Sequence, residues 1–367
     1  MRILPINNFY AKNVSTNSNA LVHEQYNSQA IETLPAYNQI FNARNVSRRV
    51  LDIDNESFVK LSDTMKKLYR MKCKDFAKII DFEKLENPNK RYLPLMQDSD
   101  MESFLTCCID KFNMLKGSPI ICLGRSPKWF LNTSYWMKDG IEDYKFVAFS
   151  GSWYRQGLWG LVKENSKMPT KEEQNAYKNY LKSIQADPAS IVKTAKETGK
   201  KVVITDYIRT GKGLKSYLEV MSNIAEEQGV LEDFAKSIRF HLFSCQEYLD
   251  DLYGEKAPTP SLNLPEKLAP YREEIPSYWV NIPLDITLQI LENKNTNECR
   301  ATYYPPKAWG IYLPNNYRTG MIPNSLMDKL KEHSPKSAVN FTTQMRDYRN
   351  LLNFRILDYL EQKDLLR

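Results

Sequence analysis

The chain has 367 residues, of which 42% are hydrophobic and 26% charged. These proportions exclude a wholly disordered, collagen-like or low-complexity protein. Lys and Arg outnumber Asp and Glu by 51 to 44, a net charge of +7; so mild an excess suits phosphate-bearing small molecules and, without a dense basic stripe or a known module, does not point to nucleic acid. No run of about 18 uncharged apolar residues is present, so no membrane span is expected.

Residues 1–49 are rich in Asn and Ser and lack aliphatic periodicity, which predicts a disordered tail. The tail has no apolar signal-peptide core. A cytoplasmic protein is expected, with export through an unrecognised amino-terminal address as the alternative. Residues 50–99 read as a helical layer, because Phe58, Leu61, Met65, Leu68, Tyr69, Cys73 and Phe76 recur at spacings of three and four. Cys73, Cys107, Cys108, Cys122, Cys245 and Cys299 form no CxxC pair, and His23, His241 and His333 stand in no metal or triad spacing. Free buried thiols in a reducing compartment are expected.

An α/β core is predicted over residues 100–250. Phe104, Leu105, Cys108, Ile109, Phe112 and Leu115 mark a helix that Gly117 closes and Pro119 blocks. Short apolar runs at 119–123, 144–149, 201–205 and 238–244 read as buried strands. Helical stretches lie between them at 128–137, within 163–197, and at 214–228. Alternating strands and helices argue for a parallel sheet flanked by helices. Residues 251–367 begin as an irregular, Pro-rich segment with one strand or helix around 279–291. They end in an amphipathic helix carrying Phe341, Met345, Tyr348, Leu352, Tyr359 and Leu360, read as docking on the core.

The stretch KVVITDYIRTGKGLKSYLEV carries the chemistry. A buried strand delivers Asp206 at its carboxyl end; Thr210, Gly211, Lys212 and Gly213 form a turn, and a helix begins at once. Such a turn aims backbone N–H groups and a helix dipole at one place, which makes a phosphate cradle. Asp206 is then placed to accept hydrogen bonds from sugar hydroxyls. The Walker A pattern fails because position 206 is Asp and 213 is Gly, and the dinucleotide fingerprint fails because 216 is Ser.

Strand, Asp206, Thr210, Gly211 and Lys212 together resemble the fingerprint of the type I phosphoribosyltransferases. A second feature of that family, a strand followed by a short pyrophosphate-binding loop, is matched by Gly124, Arg125 and Ser126. The resemblance spans residues 100–250. It implies a phosphoribosyltransferase-like core that binds phosphoribosyl pyrophosphate or a related ribose phosphate, with Mg²⁺ as cofactor. It also implies catalytic roles for Asp206 and Arg125, the former reaching the metal indirectly through ribose hydroxyls or water. Gly124, Ser126, Arg209, Thr210, Gly211, Lys212 and Gly213 are the implied substrate-binding residues. Thr205, Arg209 and Gly213 depart from the family pattern, and an acid that would read a purine base at 209 is absent. The expected activity is transfer of a phosphoribosyl group to an acceptor with release of pyrophosphate. The alternative is a non-catalytic phosphoribosyl- or nucleotide-binding or protein-interaction module, and a homo-oligomer is compatible with either.

Beside these residues, Ser150, Gly151 and Ser152 are candidates to line the site, and Trp153, Tyr154 and Trp159 to hood it. Trp129, Tyr135 and Trp136 are read as a core cluster ahead of a base-stacking one. Tyr303, Tyr304 and Trp309 are read as packing residues.

Overall fold

A computed structural model of the chain describes residues 98–157, 160–258, 260–292, 306–309 and 343–367. The expected tail, nearly all of the helical layer, Trp159, Tyr303 and Tyr304 lie outside the described residues.

The first helix, α1 (Asp98–Lys111), turns Met101, Phe104, Leu105 and Cys108 inward at helical spacing. The chain then reverses at Gly117, whose φ of 70° favours glycine. Strand β1 (Ile120–Leu123) is buried throughout. Every residue of α2 (Lys128–Trp136) is buried as well, so Trp129, Tyr135 and Trp136 belong to the core. Strand β2 (Lys145–Val147) follows. An antiparallel hairpin of β3 (Tyr154–Gly157) and β4 (Gly160–Lys163) then interrupts the α/β alternation.

Helix α3 (Lys171–Ser183) starts at a capping box in which Thr170 and Glu173 satisfy each other's backbone N–H groups. Helix α4 (Pro188–Thr198) has proline in its first turn and ends on Gly199 in the left-handed conformation. Next come β5 (Val202–Tyr207), α5 (Lys212–Glu227), α6 (Leu231–Ser237), β6 (Ile238–Ser244), α7 (Gln246–Tyr253) and β7 (Ser277–Asn281). The terminal helix α8 (Thr343–Gln362) buries Leu352, Ile356, Leu357, Tyr359 and Leu360. Backbone bonds from Lys138 N–H to Leu365 O and from Arg367 N–H to Trp136 O, both 2.8 Å, fasten the chain end to the core.

The fold is α/β, with a five-stranded sheet in the order β2-β1-β5-β6-β7 and helices on its faces. All four strand pairs are parallel. The sheet takes β7 from beyond residue 250, so the α/β unit extends into the Pro-rich part of the sequence. After β1 the chain adds β2 on one side, then crosses to add β5, β6 and β7 on the other. The winding therefore reverses between β1 and β5. In open α/β sheets the ligand crevice lies outside the carboxyl ends of the strands at such a reversal.

Side chains alternate across the sheet. Thr205 and Tyr207 of β5 share one face with His241 and Phe243 of β6. Phe112 packs there, stacked on Phe130 at 4.6 Å and edge-on to His241 and Phe243 at 5.1 and 5.4 Å. Burying an aromatic ring of this kind stabilises the fold by about 2–3 kcal/mol. Asp206 points to the opposite face, the side of α5. Cys107, Cys108, Cys122 and Cys245 are buried and form no disulfide among the described residues; burial pushes the Cys107 thiol up to about 12 and Cys108 well above its ordinary value, which leaves both unreactive.

Candidate functional site

The register pairs Ile121 with Ile204 and Cys122 with Thr205. Continued by one residue, it sets Leu123 beside Asp206, one strand spacing away. The loop after β1 (Gly124, Arg125, Ser126) and the loop after β5 (Ile208 to Gly211) thus leave the sheet side by side, at the point where the winding reverses.

Gly124 has φ of 70°, and its N–H donates to Val147 O at 2.9 Å, tying the loop to the end of β2. Among the described residues nothing lies within 4 Å of where its Cβ would stand. Arg125 and Ser126 are half-buried, and Arg125 O accepts from Lys128 N–H at 3.0 Å to start α2. Lys128 itself is only 6% exposed, an uncommon placement for a lysine. The sequence reading overlooked it because it reads as the first residue of an aromatic helix.

The second loop ends at Gly211, the N-cap of α5, with φ of 72°. A Cβ there would meet Ser261 O at 2.9 Å, so the backbone of the Pro-rich segment lies against the turn. The glycine is required by that approach as well as by its dihedral. Beside Gly213, Gly151 O lies 3.9 Å from where an added Cβ would stand. Among the described residues no acceptor faces the N–H groups of Thr210, Gly211, Lys212, Gly213 or Leu214; the first cap bond is Lys215 N–H to Gly211 O at 2.9 Å. Unsatisfied amides at the start of a 16-residue helix form an anion-binding arrangement.

Asp206 is half-buried near the carboxyl end of β5. Burial pushes its pKa well above the usual carboxylate range, and the Tyr207 backbone hydrogen bond opposes that shift. Thr205 stands elsewhere: it is fully buried on the other face, with its Oγ1 3.0 Å from His241 Nδ1. Arg209 also turns aside. Its guanidinium lies 3.7 Å from Glu292 and 5.7 Å from the centre of the Tyr248 ring, while Tyr207 donates to Glu292 at 3.0 Å. Glu292 is a partner for Arg209 that the sequence reading missed; their separation along the chain hides the pair.

The Ser150–Ser152 segment borders the second loop. Ser152 Oγ donates to Lys212 O at 3.2 Å, and Ser216 Oγ donates to Ser152 Oγ at 3.2 Å. Trp153 is 1% exposed, so it forms no hood. Its indole N–H donates to Glu219 at 2.5 Å, Tyr154 donates to the same carboxylate at 2.9 Å, and Lys163 pairs with it. Lys215 sits over the Tyr154 ring at 4.6 Å. The base of the β3–β4 hairpin is therefore pinned to α5.

A cavity of about 310 Å³ opens at the other edge of the sheet, lined by Ser118, Glu142, Asp143, Lys145, Thr194 and Thr198 among others. Its polar groups are largely engaged: Lys145 donates to Gln185 O at 2.8 Å, Asp143 accepts from Tyr144 N–H at 2.7 Å, and Ser118 accepts from Arg239 at 2.8 Å. The carboxyl edge, with its unengaged amides, is the better candidate. No family model matches the chain, and neither a curated protein nor a solved structure matches it.

Proposed function

We propose that the chain binds phosphoribosyl pyrophosphate at the carboxyl edge of β1 and β5 and transfers its phosphoribosyl group to an acceptor, releasing pyrophosphate. The supporting observation is the row of amides from Thr210 to Leu214 that have no acceptor among the described residues, beside the Gly124–Ser126 loop at the winding reversal. In this reading the amides and the α5 dipole hold the 5′-phosphate, with Thr210 Oγ1 as a further donor. Asp206 accepts from the ribose hydroxyls. The guanidinium of Arg125 neutralises the pyrophosphate as the C1–O bond breaks and the leaving group takes the electron pair. Positioning and charge stabilisation supply the rate.

Among the described residues no group of three or more His, Cys, Asp and Glu is arranged to hold a metal. Mg²⁺ that keeps its waters and binds chiefly through substrate phosphates needs little from the protein. Asp206 fits that demand, through ribose hydroxyls or water. Bound there, the ion would neutralise diphosphate charge.

A second reading is favoured by the placement of Thr205 and Arg209. With Thr205 turned into the core and Arg209 paired to Glu292, Asp206 is the acid left at the strand end. A site with that reduced set suits a module that binds a ribose phosphate without turning it over. Calorimetry with phosphoribosyl pyrophosphate and Mg²⁺, alongside a pyrophosphate-release assay over a panel of nucleobases, separates the readings. Heat with release supports the transferase, and heat without release supports the binding module. No heat with the wild-type chain sinks both.

A further inference from the structure

The cavity of about 310 Å³ at the amino edge of the sheet is framed by the first residues of three neighbouring strands, Lys145 of β2, Ile120 of β1 and Val202 of β5. Helix α4 closes one side with Ile191, Thr194 and Thr198, which share a face at spacings of three and four. Ile120, Ile191 and Val202 are at most 4% exposed and make an apolar wall. Glu142, Asp143 and Lys145 supply a polar one. Among the described residues none of these three stands in an ion pair. Lys145 Nζ donates to Gln185 O at 2.8 Å, which holds the ammonium in place and leaves its charge unneutralised. Lys200 donates to the carbonyl of Gly117, another lining residue, at 2.6 Å. Two carboxylates and two ammonium groups thus border one apolar hollow, whose size and mixed lining suit a small molecule.

We propose that this cavity binds a small zwitterion, an α-amino acid with an aliphatic side chain. The ligand carboxylate meets Lys145, the ligand ammonium meets Glu142 and Asp143, and the side chain lies on Ile120, Ile191 and Val202. Charges of both signs on one wall select against singly charged analogues. A plain carboxylate gains Lys145 but faces Glu142 and Asp143, and a plain amine gains the acids but faces Lys145. The Thr194 hydroxyl, which has no hydrogen-bond partner among the described residues, is a further partner for either charged group. The site lies at the opposite end of β1 and β5 from the proposed ribose-phosphate site and stands independently of it.

The test is calorimetry on the full chain with L-leucine, 3-methylbutanoate and 3-methylbutylamine, which share an aliphatic body and differ in charge. L-Leucine is expected to give binding heat and a raised melting temperature, and each singly charged analogue to bind about tenfold more weakly or worse. Glu142 is exposed, so Glu142→Gln keeps the fold. That variant is expected to bind L-leucine and 3-methylbutylamine more weakly and 3-methylbutanoate at least as tightly as the wild type. Lys145→Met is expected to weaken L-leucine and 3-methylbutanoate about tenfold and to spare 3-methylbutylamine. Equal weakening toward all three probes would point to a general distortion and overturn the assignment. No heat from L-leucine up to about 10 mM overturns it, as does a singly charged analogue that binds as tightly as L-leucine. L-Leucine affinity unchanged in both variants would put the amino acid elsewhere on the protein and overturn it too. Should Lys145→Met fold poorly, Glu142→Gln alone decides.

Discussion

Thr205 and His241 share a hydrogen bond of 3.0 Å across neighbouring strands. His241 Nε2 lies 2.8 Å from Lys111 O, a group that only accepts, so Nε2 carries the proton and Nδ1 accepts from the Thr205 hydroxyl. An acid at 205 would stand in this core and not at the candidate site. Thr205→Asp is therefore expected to lower stability by about 2–4 kcal/mol through an unpaired buried carboxylate, without raising affinity for ribose 5-phosphate. Urea unfolding and calorimetry check both halves; tighter binding in the variant would contradict the face assignment.

The same pair makes stability pH-dependent. Burial depresses the His241 pKa from 6.5 to about 4. A base whose folded value is depressed contributes stability that is fully present above its unfolded value and lost as pH falls toward the folded one. Between pH 6.5 and 4 the fold is expected to lose about 3 kcal/mol from this residue. In His241→Gln the slope of unfolding free energy against pH should flatten over that window. An unchanged slope would show that other groups carry it.

Asp206 has the opposite sign. Its folded pKa is raised by burial, so its contribution is present below the ordinary carboxylate value and lost as pH rises through the folded one. Asp206→Asn is expected to melt at or above the wild-type temperature at pH 7 and to weaken ribose 5-phosphate binding at least tenfold. A variant that is both less stable and equally tight would mark Asp206 as a structural residue.

Gly211 joins a φ of 72° to a close approach by Ser261 O. Gly211→Ala is expected to cost about 1–3 kcal/mol of stability, since the new methyl must push the Ser261 backbone away. Pyrophosphate affinity should fall with it, because the neighbouring amides move. Stability and affinity equal to the wild type would place the turn elsewhere.

Glu219 collects Trp153, Tyr154 and Lys163 on one carboxylate. Glu219→Gln is expected to weaken the attachment of the hairpin by about 1–2 kcal/mol. Tryptic cleavage after Arg155 and Lys163 should quicken while the amides of β5 and β6 keep their hydrogen-exchange protection. Unaltered cleavage would mean that the hairpin is held by other contacts.

The buried strands were legible in the sequence because β1 and the first half of β5 are short apolar runs, the signature of a parallel sheet covered on both faces, and β6 is apolar at most of its positions. The turn at Gly211 was legible from Thr-Gly-Lys-Gly standing between that strand and a helical stretch. The β3–β4 hairpin was not: its strands, YRQG and GLVK, are short and mostly exposed, and Glu219 that anchors them lies far along the chain. Strand β7 was legible only as one strand or helix around 279–291, because an edge strand such as SYWVN buries little. The direction of Thr205 was readable from alternation alone, since a neighbour of Asp206 must face the other way. The partners of Arg209 and the cavity at the amino edge were not readable, since both depend on residues that only the tertiary fold brings together.

The indole of Trp153, bonded to Glu219 and standing above Ser216 on the helix that opens with the amide turn, gives the protein a built-in optical gauge. Any occupant that draws the turn toward itself would strain the bonds that tie Trp153 to α5, the indole to Glu219 and the backbone N–H to Ser216. Its fluorescence can therefore signal occupancy without a label attached.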